Sequence, residues 1–195
     1  MDDNGVVAVV IKALRAAQIP HMLVGSLSSN AYGIPRSTKD ADLVIELGSS
    51  SLNKIMQYLP DGFELEPQIG FETITSTTRF RMKYTKNRVE PFLIEFFELS
   101  NDAHDQLRFS KRIESAFQEI QTYIPVAEDV VIMKLRWAVS GKNREKDADD
   151  ARNVLSVQKG KLDLAYIRTW CDQHGSRELL EQLIASIAHL PDAPK

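Results

Sequence analysis

The chain has 195 residues, enough for one domain with a sizeable core or for one domain plus a helical extension. Apolar residues make up 43% and charged residues 26%, an ordinary globular balance, and a net charge of −3 leaves any nucleic-acid surface to be a local feature. One cysteine, Cys171, excludes a disulfide framework and a cysteine-rich metal site; with no basic signal at the N-terminus and no apolar run of about 18 residues, a cytoplasmic protein without a membrane partner is expected.

Val6–Ala17 spaces its apolar residues as a helix, with Asp2, Asp3 and Asn4 as caps and Pro20 as the stop. His21-Met22-Leu23-Val24 reads as a short strand running into Gly25-Ser26, and Leu27–Tyr32 as a short helix stopped by Gly33 and Pro35. Asp40–Leu47 alternates as a strand, sending Ala41, Leu43 and Ile45 one way and Asp40, Asp42, Val44 and Glu46 the other. Ser49–Leu59 predicts a helix. From Phe63 to Leu99 the pattern is β, with strands near Glu72–Ser76, Arg79–Thr85 and Val89–Leu99. Lys111–Ile124 predicts a hairpin, although Ser115–Gln121 fits a helical turn as well.

After Pro125 the spacing turns helical over Ala127–Ser140, Arg144–Val157, Asp163–Gln173 and Arg177–Leu190, broken at Gly141, Gly160 and Gly175, with a frayed tail at Pro191–Lys195. The fold class is therefore α/β (α+β): a mixed central sheet flanked by helices in residues 1–124, then a helical bundle in residues 125–195.

The chemistry concentrates in two segments. A strand ending in Gly25-Ser26 before a helix makes a turn whose N–H groups and hydroxyl can receive a phosphate. Asp40 and Asp42, two apart on one strand, project from one face; side by side they repel, unless a divalent cation neutralises them. A third carboxylate is expected from Phe92-Leu93-Ile94-Glu95-Phe96-Phe97, where Glu95 stands in a strongly apolar run and must be paired, bind metal or lie on a solvated edge strand. Asp40, Asp42 and Glu95 are thus the candidate metal ligands.

An apolar residue followed by Gly-Ser, a gap of 13 residues, then Asp-x-Asp between apolar residues resembles the polymerase-β-type nucleotidyltransferases. The string Tyr32-Gly33-Ile34-Pro35-Arg36-Ser37-Thr38-Lys39-Asp40-Ala41-Asp42 is more closely similar to the abortive-infection-type branch, many of whose members are toxins of toxin–antitoxin pairs. Pro125-Val126-Ala127-Glu128-Asp129, Lys134 and Arg144-x-Lys146-Asp147-x-x-Asp150 resemble the helices of that branch.

The resemblance implies a nucleotidyltransferase fold whose catalytic domain spans residues 1–124, with residues 125–195 contributing Lys134 and Asp147 to the site. It implies that Gly25 and Ser26 hold the phosphates of a nucleoside triphosphate, that Asp40 and Asp42 bind Mg2+ (or Mn2+), and that Glu95 helps activate the attacking hydroxyl. Lys134 would neutralise triphosphate charge, and Asp147 would orient Lys134 or a neighbouring base. Many relatives carry Asp where this chain has Glu95. Arg36 and Lys39 are candidates for further nucleotide contacts, with loop solubility as the alternative.

Thr73–Val89 holds five basic residues and no acidic one, and Arg79, Arg81 and Lys83 share a strand face, with Phe80, Met82 and Tyr84 on the other. Such a stripe could track a phosphate backbone or be a solvated outer face. It favours an RNA 3′ end, tRNA included, as acceptor. The alternatives are a small-molecule or protein hydroxyl, or a non-enzymatic nucleotide-binding regulator working with a cognate antitoxin protein. Arg136, Lys142, Arg144 and Lys146 form a second basic cluster, and Trp137 reads as core or as a stacking platform. The four histidines lack metal-ligand spacing.

Overall fold

The computed structural model describes residues 1–140 and 144–188. The break at Gly141, the Lys142 member of the second basic cluster, His189 and the expected tail lie outside the described residues.

Helix α1 (Asp3–Ala16) starts where the Asp2 carboxylate accepts the N–H of Gly5, a cap that replaces a missing helical partner. Strand β1 (His21–Val24) runs directly into helix α2 (Gly25–Tyr32), and β2 (Asp40–Ile45) returns antiparallel to β1. The 3-10 helix Leu52–Tyr58 and strands β3 (Phe63–Leu65), β4 (Gly70–Glu72), β5 (Thr77–Tyr84) and β6 (Phe92–Glu98) follow. The sheet has the order β1-β2-β6-β5-β3, with β4 also on β5. Only β2 and β6 pair in parallel among the described strands, so the sheet is mixed as expected.

Register decides which residues share a face. Ala41 lies beside Ile94, Leu43 beside Phe96 and Met82 beside Ile94, all buried. Each large apolar side chain removed from water here contributes about 1.5–3 kcal/mol. Helix α1 packs on β6 and on the 3-10 helix. On the opposite face, Met22, Val24 and Val44 pack with Phe109 of helix α3 (Ala103–Ser110). Beyond that cluster the same face carries Asp42, Glu95 and Arg81.

The segment expected as an α-helix over 49–59 is the tighter 3-10 form. Its buried residues, Leu52 and Ile55, are three apart, the spacing that aligns on a 3-10 helix, and the Ser51 hydroxyl caps Asn53. The strand expected at 72–76 ends at Glu72. Its buried carboxylate accepts the N–H groups of Ile74 (2.5 Å) and Thr75 (2.8 Å) and the Thr75 hydroxyl (2.5 Å), turning the chain. The three-residue β3 was too short to show a period. Strand β6 begins at Phe92, after Pro91, which has no N–H to donate to a ladder; Val89 is fully exposed.

Residues 111–124 form a hairpin of β7 (Ile113–Phe117) and β8 (Ile120–Ile124), which overturns the helical alternative. Gln118 and Glu119 both take positive φ (46° and 63°), the mirror-image turn that suits a twisted two-residue hairpin.

The chain divides into two compact units, one of Met1–Leu27 and Ser37–Pro125, the other of Ser28–Arg36 and the residues from Val126 onward. The second holds helices α4 (Ala127–Val139), α5 (Glu145–Val157), α6 (Leu164–His174) and α7 (Arg177–Ala188). Its core gathers Ile132, Leu135, Val154, Ile167 and Leu180 around Cys171, whose thiol pKa burial pushes up. Among the described residues no helix is long and apolar enough to cross a membrane.

Candidate active site

The site begins where β1 becomes α2. Gly25 has φ 64°, and a Cβ placed on it would stand 2.1 Å from Oδ2 of Asp42. Glycine is therefore required twice, by the left-handed backbone and by the close approach of the carboxylate. Asp42 is held there because Val24 pairs with it across β1–β2.

Asp42 also lies in register with Glu95 across the parallel β2–β6 pair, so the two carboxylates share a sheet face and neighbouring strands. The edge-strand alternative for Glu95 is overturned: β6 is bracketed by β2 and β5. Asp40, two residues before Asp42, is on the same face, and Thr38 donates its hydroxyl to Asp40 Oδ1 at 2.7 Å. Glu95 is not left alone, since Oε1 lies 3.5 Å from Arg79 Nη1.

These residues fit a magnesium ion. The Gly25 cradle leaves the Asp42 carboxylate uncovered by any side chain from that position. Among the described residues no three His, Cys, Asp or Glu side chains come together as a metal-holding group, so Asp40, Asp42 and Glu95 do not close into the expected three-carboxylate set. An ion that takes one or two carboxylates and fills its octahedron with water and phosphate oxygens needs only part of that set. Ser26 is buried in the first turn of α2, and Lys39 is exposed.

The basic stripe lies on the carboxylate face, with Arg81 directly across from Glu95. It is not a bare cationic strip. Arg79 pairs with Glu95, Arg81 lies 3.3 Å from Glu66, and Lys83 is ion-paired with the same Glu66, which drives that carboxyl below its usual range. Glu66 and its pairing were not visible in the sequence, because it falls just past the short β3.

The other expected residues lie in the helical unit. Lys134, almost wholly buried, places Nζ 2.9 Å from Asp147 Oδ1 and 2.8 Å from Asp150 Oδ2. Arg36 donates Nε and Nη2 to the two oxygens of Asp150 at 2.7 and 2.8 Å, a bidentate fork. Arg144 lies 2.5 Å from Asp147 Oδ2 and stacks on Trp137 at 4.5 Å, so Trp137 is a half-buried platform for a guanidinium rather than core. Burial would raise the pKa of Asp150, but hydrogen bonds from Arg36 and Lys134 outweigh it and hold the carboxyl below its usual range.

Asp150 closes the Arg144-x-Lys146-Asp147-x-x-Asp150 string, but its role as the hub of this network was not assigned from the sequence. Its spacing after Asp147, one helical turn, was the available signal. Asn30 was also missed: its amide clamps the Arg36 backbone through bonds of 2.8 and 3.1 Å.

No protein-family model matches the chain, and no curated protein matches it. Solved structures do. The chain is similar to a candidate nucleotidyltransferase from H. pylori (17% identity, 97% of this chain and 83% of that one, TM-score 0.58). It is also similar to an antigenic nucleotidyltransferase-like protein from Paracoccidioides brasiliensis (17%, 94% and 92%, 0.58). A third is ANT(2″)-Ia, solved in complex with adenylyl-2″-tobramycin (10%, 90% and 98%, 0.57). At these identities the likeness is one of fold: a nucleotidyltransferase-like mixed sheet followed by helices.

Proposed function

We propose that the chain is a metal-dependent nucleotidyltransferase moving a nucleoside monophosphate from a nucleoside triphosphate to an acceptor hydroxyl. The observation that carries this reading is the pairing of Asp42 with Glu95 across β2–β6, beside a glycine turn with no room for a side chain.

Asp40 and Asp42 would hold Mg2+ (or Mn2+), with Glu95 beside Asp42 on the neighbouring strand. When bound, the ion would neutralise the triphosphate and the charge that develops on the attacking and leaving oxygens. The α2 N-terminus at Gly25 and Ser26 favours an anion, so these two residues would receive the phosphates. Glu95 takes the proton of the acceptor hydroxyl as that oxygen bonds to the α-phosphorus. The bond from the α-phosphorus to the bridging oxygen breaks, and pyrophosphate leaves with its electron pair. The protein supplies position and electrostatics, with no covalent intermediate. Lys134 and Asp147 form a coupled pair within the helical unit, where Lys134 is also held by Asp150.

For the acceptor, the ion-paired stripe shifts the balance from an RNA 3′ end to a small-molecule hydroxyl. A phosphate contact by Arg81 or Lys83 must first displace Glu66, whereas a compact polar alcohol can use the alternating charges as they stand. The test is incubation of the chain with α-labelled nucleoside triphosphates and Mg2+, alongside total RNA and a panel of polyols and aminoglycosides. Label should appear on a small molecule and vanish with Asp42→Ala. Label on RNA would select the nucleic-acid acceptor and the tRNA reading, and growth arrest on expression, relieved by a partner protein, would select the toxin reading. No transfer to any acceptor would sink the enzymatic proposal.

A further inference from the structure

Arg79 is better built than a solvated strand residue needs to be. Its strand partner across β4–β5 is Gly70, and a Cβ at Gly70 would stand 3.2 Å from Arg79 Nε and 3.4 Å from Nη2. The guanidinium therefore lies close against β4 at Gly70, where an added side chain would press on it. The β4–β5 hairpin that sets this register is fixed by Glu72, a carboxylate 5% exposed, which satisfies the N–H groups of Ile74 and Thr75 and the Thr75 hydroxyl. At the other end, Thr77 donates its hydroxyl to the carbonyl of Glu98, tying β5 to β6. Held between these supports, Arg79 reaches diagonally to Glu95, the carboxylate in register with Asp42.

We infer that Arg79 is a positioning residue for Glu95, with Gly70 and Glu72 as its supports, and that it fixes where the third carboxylate points on the sheet face. This rests on the reading of Glu95 under Proposed function. A glutamate has one more rotatable bond than an aspartate, so its carboxylate sweeps a wider arc. A guanidinium on the neighbouring strand restricts that freedom, and its planar fork loses less rotamer entropy per contact than a flexible ammonium would. The longer acid and the anchored arginine are thus two halves of one device. The same geometry turns Nη1 toward Glu95 and buries Nε, which has no hydrogen-bond partner among the described residues.

The experiment uses the full chain. Transfer kinetics are measured for wild type, Arg79→Met, Arg79→Lys and Gly70→Val, together with carbon-detected NMR of the Glu95 side-chain carboxyl. Arg79→Met should lower kcat by roughly 10- to 100-fold, with KM for both substrates within about twofold, as expected when a reacting group is misplaced by about 1 Å. Arg79→Lys should recover part of that loss, and Gly70→Val should reproduce it with the arginine intact. The Glu95 carboxyl resonance should be single in wild type and broadened or split in Arg79→Met and Gly70→Val.

A rise in acceptor KM with kcat preserved would overturn the proposal and make Arg79 an acceptor contact. So would an unchanged Glu95 resonance. If wild type transfers nothing, the nucleotidyltransferase reading fails, while the resonance still decides the Arg79–Glu95 coupling.

Discussion

A methyl group on Gly25 would lie 2.1 Å from Oδ2 of Asp42, well inside contact distance, on a backbone already at φ 64°. The turn and the carboxylate are therefore one structural object. Gly25→Ala must either push β2 away or rotate Asp42 off the sheet face. It should destabilise the chain by about 1–3 kcal/mol and reduce transfer far more than any change in nucleotide KM. Urea unfolding and steady-state kinetics on the same preparation check both halves.

Asp42 should show the opposite pattern. Asp42 and Glu95, in register across β2–β6 with Asp40 on the same face, gather acidic groups on one stretch of the sheet. Asp42→Asn is expected to leave the thermal midpoint unchanged or raised in metal-free buffer, while transfer falls by more than about a hundredfold. A midpoint several degrees lower would mean that Asp42 serves the fold rather than the chemistry.

The buried ion network of the helical unit separates structure from surface charge. Asp150→Ala removes one of two carboxylates from buried Lys134 and the partner of half-buried Arg36, and should cost about 1–3 kcal/mol. Arg168→Ala breaks a pair with Glu181 that is well exposed, and should leave the unfolding midpoint almost unchanged. Because the folded Asp150 carboxyl titrates below its usual value, its contribution is present above about pH 4 and is lost as the pH falls further. Chemical denaturation of both variants at pH 7 and of wild type down to pH 3 checks the contrast.

His21 gives a second pH effect, of opposite origin. Burial lowers its pKa, with Arg112 and Arg15 adding to the shift, although the carbonyl of Ile19, 3.0 Å from Nδ1, partly opposes it. The folded state therefore keeps the ring neutral where the unfolded chain, near pH 6.5, protonates it. The unfolded state binds more protons in that range, so stability should fall as pH drops from 7.5 to 5.5. In His21→Gln that part of the slope should disappear from urea-unfolding curves.

Most of the site was legible because its signals were local. Alternation in Asp40–Ile45 placed two aspartates on one face, and a charge inside Phe92–Phe97 had to be explained. What stayed hidden came from register and from short elements. Nothing local says that β2 and β6 pair in parallel, which sets Glu95 beside Asp42, or that β6 is central. The stripe of Arg79, Arg81 and Lys83 was visible, but not that Glu66 and Glu95 answer its charge. The 3-10 helix and the early end of β4 were decided by side-chain caps, at Ser51 and Glu72, that compete with regular backbone pairing.

The bond between Arg36 and Asp150, made by residues 114 positions apart, has a bearing on how this chain can be cut and recombined. A fragment beginning after Pro125 would carry every helix from α4 onward and still lack the guanidinium that answers Asp150, because that residue arrives with Ser28–Arg36. The helical unit is not a cassette that could be transplanted, exchanged between relatives or expressed alone by trimming one end. Any graft must bring along a nine-residue insert from the other half of the chain, or supply a replacement cation for the hub.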